Sequence, residues 1–266
     1  MAPETASLHR EEDLKRLAGL RLIDDDFMTK CFEEDPACVE LVLRIVLEMP
    51  GLVVEEVRTQ VFVANLLERS VRMDVVATDS AGRVMNIEIQ RSDKGAGRRR
   101  ARFNSSMMDA SLLEKGADFD HLPETYVIFI TERDVLGRGL PLYKIERSLL
   151  GTDELFDDGA HILYVNGAYR GDTPVGRLMH DFFCTRAEDM YYDVLAQKVS
   201  YFKDRKEGSD IMCRAMEEMR EQAVRGSQKA AARDMLADGI LSLEKIAQYS
   251  RLSLDEVKQL AKELPQ

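Results

Sequence analysis

The chain has 266 residues, 45% hydrophobic and 32% charged, with a formal net charge of −11, so it is long enough for a full hydrophobic core and an appendage. The acidic total excludes a protein that coats nucleic acid non-specifically, because phosphate binding rests on clustered Lys and Arg. No apolar run approaches the ~18 residues of a membrane span, since even residues 39–46 are broken by Glu40 and Arg44, and residues 1–13 lack the basic-then-apolar pattern of a signal peptide.

A helix is predicted over 35–47, with Pro36 in its first turn and Val39, Val42, Leu43 and Val46 spaced for one buried face. Pro50 and Gly51 stop it, and the β-branched residues of 52–63 predict a strand. Residues 71–90 read as two strands around Asp79, Ser80, Ala81 and Gly82. A helix follows over 99–115, with Phe103, Met107, Ala110 and Glu114 on one face and Gly116 as its stop. The short apolar runs 126–130 and 161–165 predict strands covered on both faces, and Gly137, Gly139 and Pro141 mark loop between them.

Beyond Thr173 and Pro174 the pattern is helical to the end. Ser242 caps one short helix, while Ser253 and Glu256 form a capping box that opens another. Two short helices joined by a tight turn invite a helix-turn-helix reading. Residues 242–266 carry four bases and four acids, however, a poor footprint for DNA. A docking element, or one that joins copies into a homo-oligomer, is favoured. The expected architecture is therefore an α/β core over residues 1–205 with a C-terminal all-helical extension over 206–266.

The most informative passage is the hairpin. Asp79 and Gly82 suit a type I turn joined to a G1 bulge, which makes a three-residue loop with Asp79 facing Arg83. Counting back along that ladder sets Asp74 opposite Glu88 and Arg72 opposite Gln90. Opposed residues share a face, with Cβ atoms ~5 Å apart. One face then carries Arg72, Asp74, Asn86, Glu88 and Gln90, with Val76, Thr78 and Val84 nearer the turn; Met73, Val75, Ala77, Met85, Ile87 and Ile89 form the other, which must pack on a core.

Two facing carboxylates repel unless a cation separates them. Hard Mg²⁺ takes oxygen ligands, commonly one or two carboxylates plus substrate phosphate oxygens; Asp74, Glu88 and the backbone carbonyl of Ile89 could supply them. Gln90, on the same face, could hydrogen-bond an attacking water or a phosphate oxygen. By spacing alone the same pattern also fits an exposed polar face.

Six basic residues (Arg91, Lys94, Arg98, Arg99, Arg100, Arg102) stand against one acid, Asp93, in residues 91–102. Successive arginines at a helix start oppose the macrodipole, which favours phosphate contact over a merely solvated face. Glu40 and Glu48 could lend a further carboxylate, although solvated helix residues are the better reading. His9, His121, His161 and His180 are read as structural, with none at metal-ligand spacing to another histidine or cysteine. Met212, Met216 and Met219 repeat as a packed helix face. Cys31, Cys38, Cys184 and Cys213 form no C-x-x-C pair, so neither zinc nor a disulfide framework is expected and a reducing cytoplasm is the expected setting.

Across these residues the sequence resembles the PD-(D/E)XK nuclease family transposases, also called recombination-promoting nucleases. The likeness lies in Arg72-Met73-Asp74, Gly82, Asn86-Ile87-Glu88-Ile89-Gln90, Arg100-Ala101-Arg102-Phe103, Leu113-Glu114-Lys115-Gly116, residues 122–131 and Tyr164-Val165-Asn166-Gly167, and extends over about residues 26–220. The resemblance implies a restriction-endonuclease-like fold: a mixed central sheet flanked by helices, with the acidic hairpin at its centre. It implies cleavage of DNA phosphodiesters with Mg²⁺ or Mn²⁺. Asp74 and Glu88 match the two acidic positions, and Gln90 stands where lysine is expected. Arg72, Arg91, Lys94, Arg99, Arg100 and Arg102 are then the candidate DNA contacts. A catalytically silent module that keeps the fold is the alternative, motivated by Gln90, which cannot contribute lysine's charge. No separate DDE-type triad is evident for strand transfer.

Overall fold

The computed structural model describes residues 3–64, 70–91 and 95–263. In chain order its helices are α1 (Pro3–Gly19), α2 (Asp25–Phe32), α3 (Pro36–Val46), α4 (Arg98–Leu112), α5 (Pro174–Phe183), α6 (Asp193–Asp204), α7 (Lys206–Asp238), α8 (Leu243–Ser250) and α9 (Leu254–Glu263). The strands are β1 (Val54–Val63), β2 (Val71–Asp79), β3 (Val84–Gln90), β4 (Thr125–Thr131), β5 (Leu142–Ile145) and β6 (Ala160–Asn166). Contacts divide the chain into two compact units, residues 15–209 and residues 1–14 with 210–266.

The larger unit is built on one mixed sheet in the order β1-β2-β3-β4-β6-β5. β1, β2 and β3 form an antiparallel meander, β3, β4 and β6 run parallel, and β5 returns antiparallel at the far edge. Helix α4 is the crossover between parallel neighbours β3 and β4, and it packs against β1, β4 and β6. Helices α2 and α3 pack against β1, and α2 also against β2. This mixed sheet with flanking helices is the α/β architecture expected from the sequence. The crossover matters for function, because it returns the first turn of α4 to the carboxyl end of β3, where ligands of open α/β sheets bind.

Local chemistry explains the elements that were legible. Asp35 accepts the Cys38 N–H at 3.1 Å as the cap of α3, with Pro36 in the first turn. The runs in β4 and β6 are apolar on both faces because each strand has a parallel neighbour and helices over it. β5 escaped sequence reading: it is a short edge strand, half-buried or exposed throughout, within a stretch whose glycines signal loop. Helix α4 is shorter than the predicted 99–115; of the expected face Met107 is buried and Phe103 packs partly buried on the same core, whereas Ala110 and Glu114 are exposed and Ala101, Asn104, Ser105 and Met108 are buried instead.

The faces of β2 depart from the expected alternation. Met73 packs with Val76, Val84, Met107 and Met108, although strict alternation puts it on the opposite side from Val76. Across the ladder from that change of side, Gln60 of β1 adopts φ +52° and the Gln60–Asp74 pair drops out of a register continuous on either side. The regular ladder is thus interrupted opposite Asp74, between Met73 and Val76, and strict alternation does not carry across it.

The smaller unit has its own core of Ala232, Ile246, Leu252, Val257 and Leu260. Ser242 accepts the Lys245 N–H, and Ser253 and Glu256 exchange bonds as a capping box, with Glu256 taking the Ser253 N–H at 3.0 Å. No helix among the described residues is long and apolar enough to cross a membrane.

Candidate active site

The hairpin closes as its turn residues dictate. The Gly82 N–H donates to the Asp79 carbonyl at 2.9 Å, Gly82 takes φ +79°, and the Asp79 N–H donates to the Arg83 carbonyl at 3.1 Å. The buried Asp79 carboxylate accepts the Ala81 and Arg83 N–H groups and binds the Arg83 guanidinium at 2.6 Å. Thr78 pairs with Val84 and Val75 with Ile87, the register that sets Asp74 against Glu88.

Regular pairing of β2 with β3 ends at Val75 and Ile87. Beyond it, the Ile89 N–H donates to Asp74 Oδ2 at 3.2 Å, so a side chain stands where a strand carbonyl would be. Gln90, the next residue, sends its carbonyl to the Glu132 N–H on the β4 side. By the alternation of backbone groups, the Ile89 carbonyl is directed to the Asp74 side. Glu88, wholly buried, accepts Asn86 Nδ2 at 3.0 Å and Arg100 at 3.1 Å.

These carboxyls are poised against their own charge. Burial, then the Glu88 charge, then that of Asp25, push Asp74 up to about 8. Burial also raises Glu88. A divalent cation would relieve both effects, and the donor set of two carboxylates and a carbonyl suits a hard ion. Between the ordinary value of 3.8 and about 8, folded metal-free protein holds a proton on Asp74 that the unfolded chain has lost. The contribution of Asp74 to stability is therefore fully present at low pH and lost as pH rises through that window. Denaturation in chelator at about pH 5, 7 and 9 should show this decline, and Asp74→Asn should flatten it; equal slopes would contradict the assignment.

Sequence reading missed a third carboxylate, Asp25 in the first turn of α2. Its charge adds to the burial that raises Asp74 and Glu88, and burial, then the charge of Asp26, raise Asp25 itself, with Arg100 opposing. The available signal was the run Asp24, Asp25, Asp26 before Phe27. The considered alternatives are occupied elsewhere: Glu40 takes the Val54 N–H and pairs with Arg44, and Glu48 pairs with Lys144.

The basic candidates separate into groups. Arg100 reaches Glu88 and, at 3.4 Å, Gln90 Oε1. Arg72, Arg99 and Arg100 line one cavity of about 650 Å³ with Phe103 and Asn104. Arg102 is exposed on α4 and does not line it. Arg91 instead pairs with Asp24 at 2.9 Å and Glu132 at 3.6 Å. Lys94 lies outside the described residues.

One histidine does stand at ligand spacing to a cysteine, although its role is structural. His180 and Cys184, four residues apart at the end of α5, place Sγ 3.5 Å from Nδ1, with Asp181 Oδ1 at 3.2 Å from the same nitrogen. Among the described residues it is the one group of three such side chains with ligand atoms mutually within 4.8 Å. Both Asp181 oxygens already accept backbone N–H groups, from Tyr191 and Tyr192 at 2.8 Å each. Burial, then the charge of Asp181, push the Cys184 thiol up to about 11. The cluster thus clamps the loop after α5. Cys31, Cys38, Cys184 and Cys213 are free thiols.

Residues 54–166 match the family model of the PD-(D/E)XK nuclease family transposases. The match bears out the resemblance, and it runs from the start of β1 to the end of β6, containing Asp74, Glu88, Gln90 and Arg100 but not Asp25. No curated protein and no solved structure matches the chain. The family supports a nuclease or transposase-related function, of a type that generally uses divalent metals.

Proposed function

We propose, with that family match as premise, that the chain is a metal-dependent endonuclease that hydrolyses DNA phosphodiesters, in a recombination-promoting or transposase-related role. The observation that carries the proposal is the buried Asp74–Glu88 pair at the point where the β-ribbon opens. Asp74, Glu88 and the Ile89 carbonyl would hold Mg²⁺, or Mn²⁺ in its place. When bound, the ion supplies Lewis-acid stabilisation of the charge that develops on the phosphate.

The chain's own groups do the remaining work. Gln90, half-buried beside Glu88, hydrogen-bonds the attacking water or a phosphate oxygen. Arg72, Arg99 and Arg100, around one cavity, hold the DNA backbone beside the carboxylates. Arg102 and Lys94 extend that basic strip, and Arg91 adds charge while anchored to Asp24. Asp25 adds negative potential at the carboxylate pair. We assign the enzyme to the cytoplasm and the helical extension to self-association, for which exposed Ile240 and Tyr249 offer apolar surface.

Supercoiled plasmid should be nicked or cut in Mg²⁺ or Mn²⁺ and left intact in chelator. Cutting that persists in chelator, or its absence with every divalent ion, would contradict the proposal. The second reading, a silent DNA-binding or protein-interaction module, draws on the Arg100–Glu88 pair, since a cation already neutralises one carboxylate. Salt-sensitive, metal-independent DNA binding without cleavage would favour it.

A further inference from the structure

We infer that Arg100 is a catalytic residue, supplying from helix α4 the positive charge at the scissile phosphate that Gln90 cannot supply from strand β3. The inference rests on the nuclease reading and deepens it, because that reading uses Arg100 only as one of several backbone contacts.

The end of strand β3 leaves a chemical deficit. Gln90 ends β3 two residues beyond Glu88, where a lysine would set an ammonium beside the metal carboxylate, and an amide carries no charge. Arg100 supplies a cation at the same place: its NH1 donates to Gln90 Oε1 at 3.4 Å and its NH2 to Glu88 Oε2 at 3.1 Å. The β3–α4–β4 crossover accounts for this, since it sets the first turn of α4 over the carboxyl end of β3.

The guanidinium is also available to a substrate. Its side chain is 41% exposed, whereas Glu88 is wholly buried, so the cation lies between the carboxylate and solvent. Two of its five N–H groups are engaged as described, and the planar fork has others for two phosphate oxygens. Its neighbours do not duplicate it. Arg91 is held by Asp24 and Glu132, and of the three arginines that line the one cavity, Arg72, Arg99 and Arg100, it is Arg100 that donates to Glu88 and Gln90. Gln90 becomes a positioning residue in this arrangement: its carbonyl oxygen accepts one end of the fork, and it avoids the like-charge repulsion a lysine would exert. Arginine opposite a phosphoryl group stabilises charge that grows in the transition state.

Relocating the charge tests this directly. Plasmid cleavage in Mg²⁺, calorimetric Mn²⁺ affinity and DNA binding in non-catalytic Ca²⁺ are measured for wild type, Arg100→Ala, Arg100→Lys and Gln90→Lys/Arg100→Ala. Arg100→Ala should lower kcat by roughly 10²–10³-fold, with Mn²⁺ affinity equal to or tighter than wild type because a competing cation has gone. DNA binding in Ca²⁺ should weaken by less than about tenfold, as one backbone contact among several. Arg100→Lys should keep part of the rate, and the double variant should recover at least about tenfold over Arg100→Ala. Wild-type rates in Arg100→Ala would overturn the inference while leaving the nuclease reading intact. Lost Mn²⁺ binding with no rescue by Gln90→Lys would also overturn it, by reducing Arg100 to a support for Glu88. A wild type that cuts with no metal removes both.

Discussion

Asp74→Ala is expected to lower the cleavage rate by about 10³-fold or more, with the fold retained. Lewis-acid stabilisation contributes several kcal/mol at the transition state, and about 4 kcal/mol corresponds to roughly 10³ in rate. Loss of fold is not expected to explain the effect, because two changes in stability oppose each other. The Ile89 N–H loses its acceptor at 3.2 Å, which costs about 1–3 kcal/mol if it stays buried. Against that, the variant no longer buries a carboxyl whose charge is disfavoured beside Glu88. Asp74→Asn keeps an oxygen for Ile89 and should be equally inactive and at least as stable as wild type near neutral pH without metal. Single-turnover cleavage, read with thermal melts, checks both. Rates within about threefold of wild type would sink the assignment of Asp74 to the reacting centre.

The largest stability effect is expected far from that centre. Asp181 is completely buried and its two oxygens each accept a loop N–H, from Tyr191 and Tyr192. Hydrogen bonds to charged groups contribute about 1.5–3 kcal/mol each, so Asp181→Ala should cost roughly 3 kcal/mol or more. Asp181→Asn keeps one acceptor oxygen and should cost less. Urea denaturation measures the difference; a loss under about 1 kcal/mol would show that the loop is held by other contacts. Because Asp181 is committed to the backbone, any shift in melting temperature caused by added Zn²⁺ should be the same in His180→Ala as in wild type, despite the nearby His180 and Cys184.

What the sequence made legible follows from how local each signal is. The hairpin could be read because Asp79 and Gly82 fix a turn, a turn fixes a register, and a register decides which side chains oppose each other across the ribbon. Strands β4 and β6 could be read because burial on both faces writes a continuous apolar run. Asp25 and the Arg100 contacts could not be read, since both depend on helices brought to the open end of the ribbon by tertiary packing. The face of Met73 is not legible for a related reason: the interruption of the ladder at Gln60 and Asp74 involves a second strand. His180 and Cys184 were separable as a pair by their spacing alone, but only the Tyr191 and Tyr192 contacts show that Asp181 between them serves the backbone.

Metal titration tests the central claim most directly. Mn²⁺ added to metal-free protein near neutral pH should bind at one site, release protons as the Asp74 carboxyl ionises, and lose that binding in both Asp74→Asn and Glu88→Gln. Binding of equal strength in wild type and both variants would place the cation elsewhere and contradict the account.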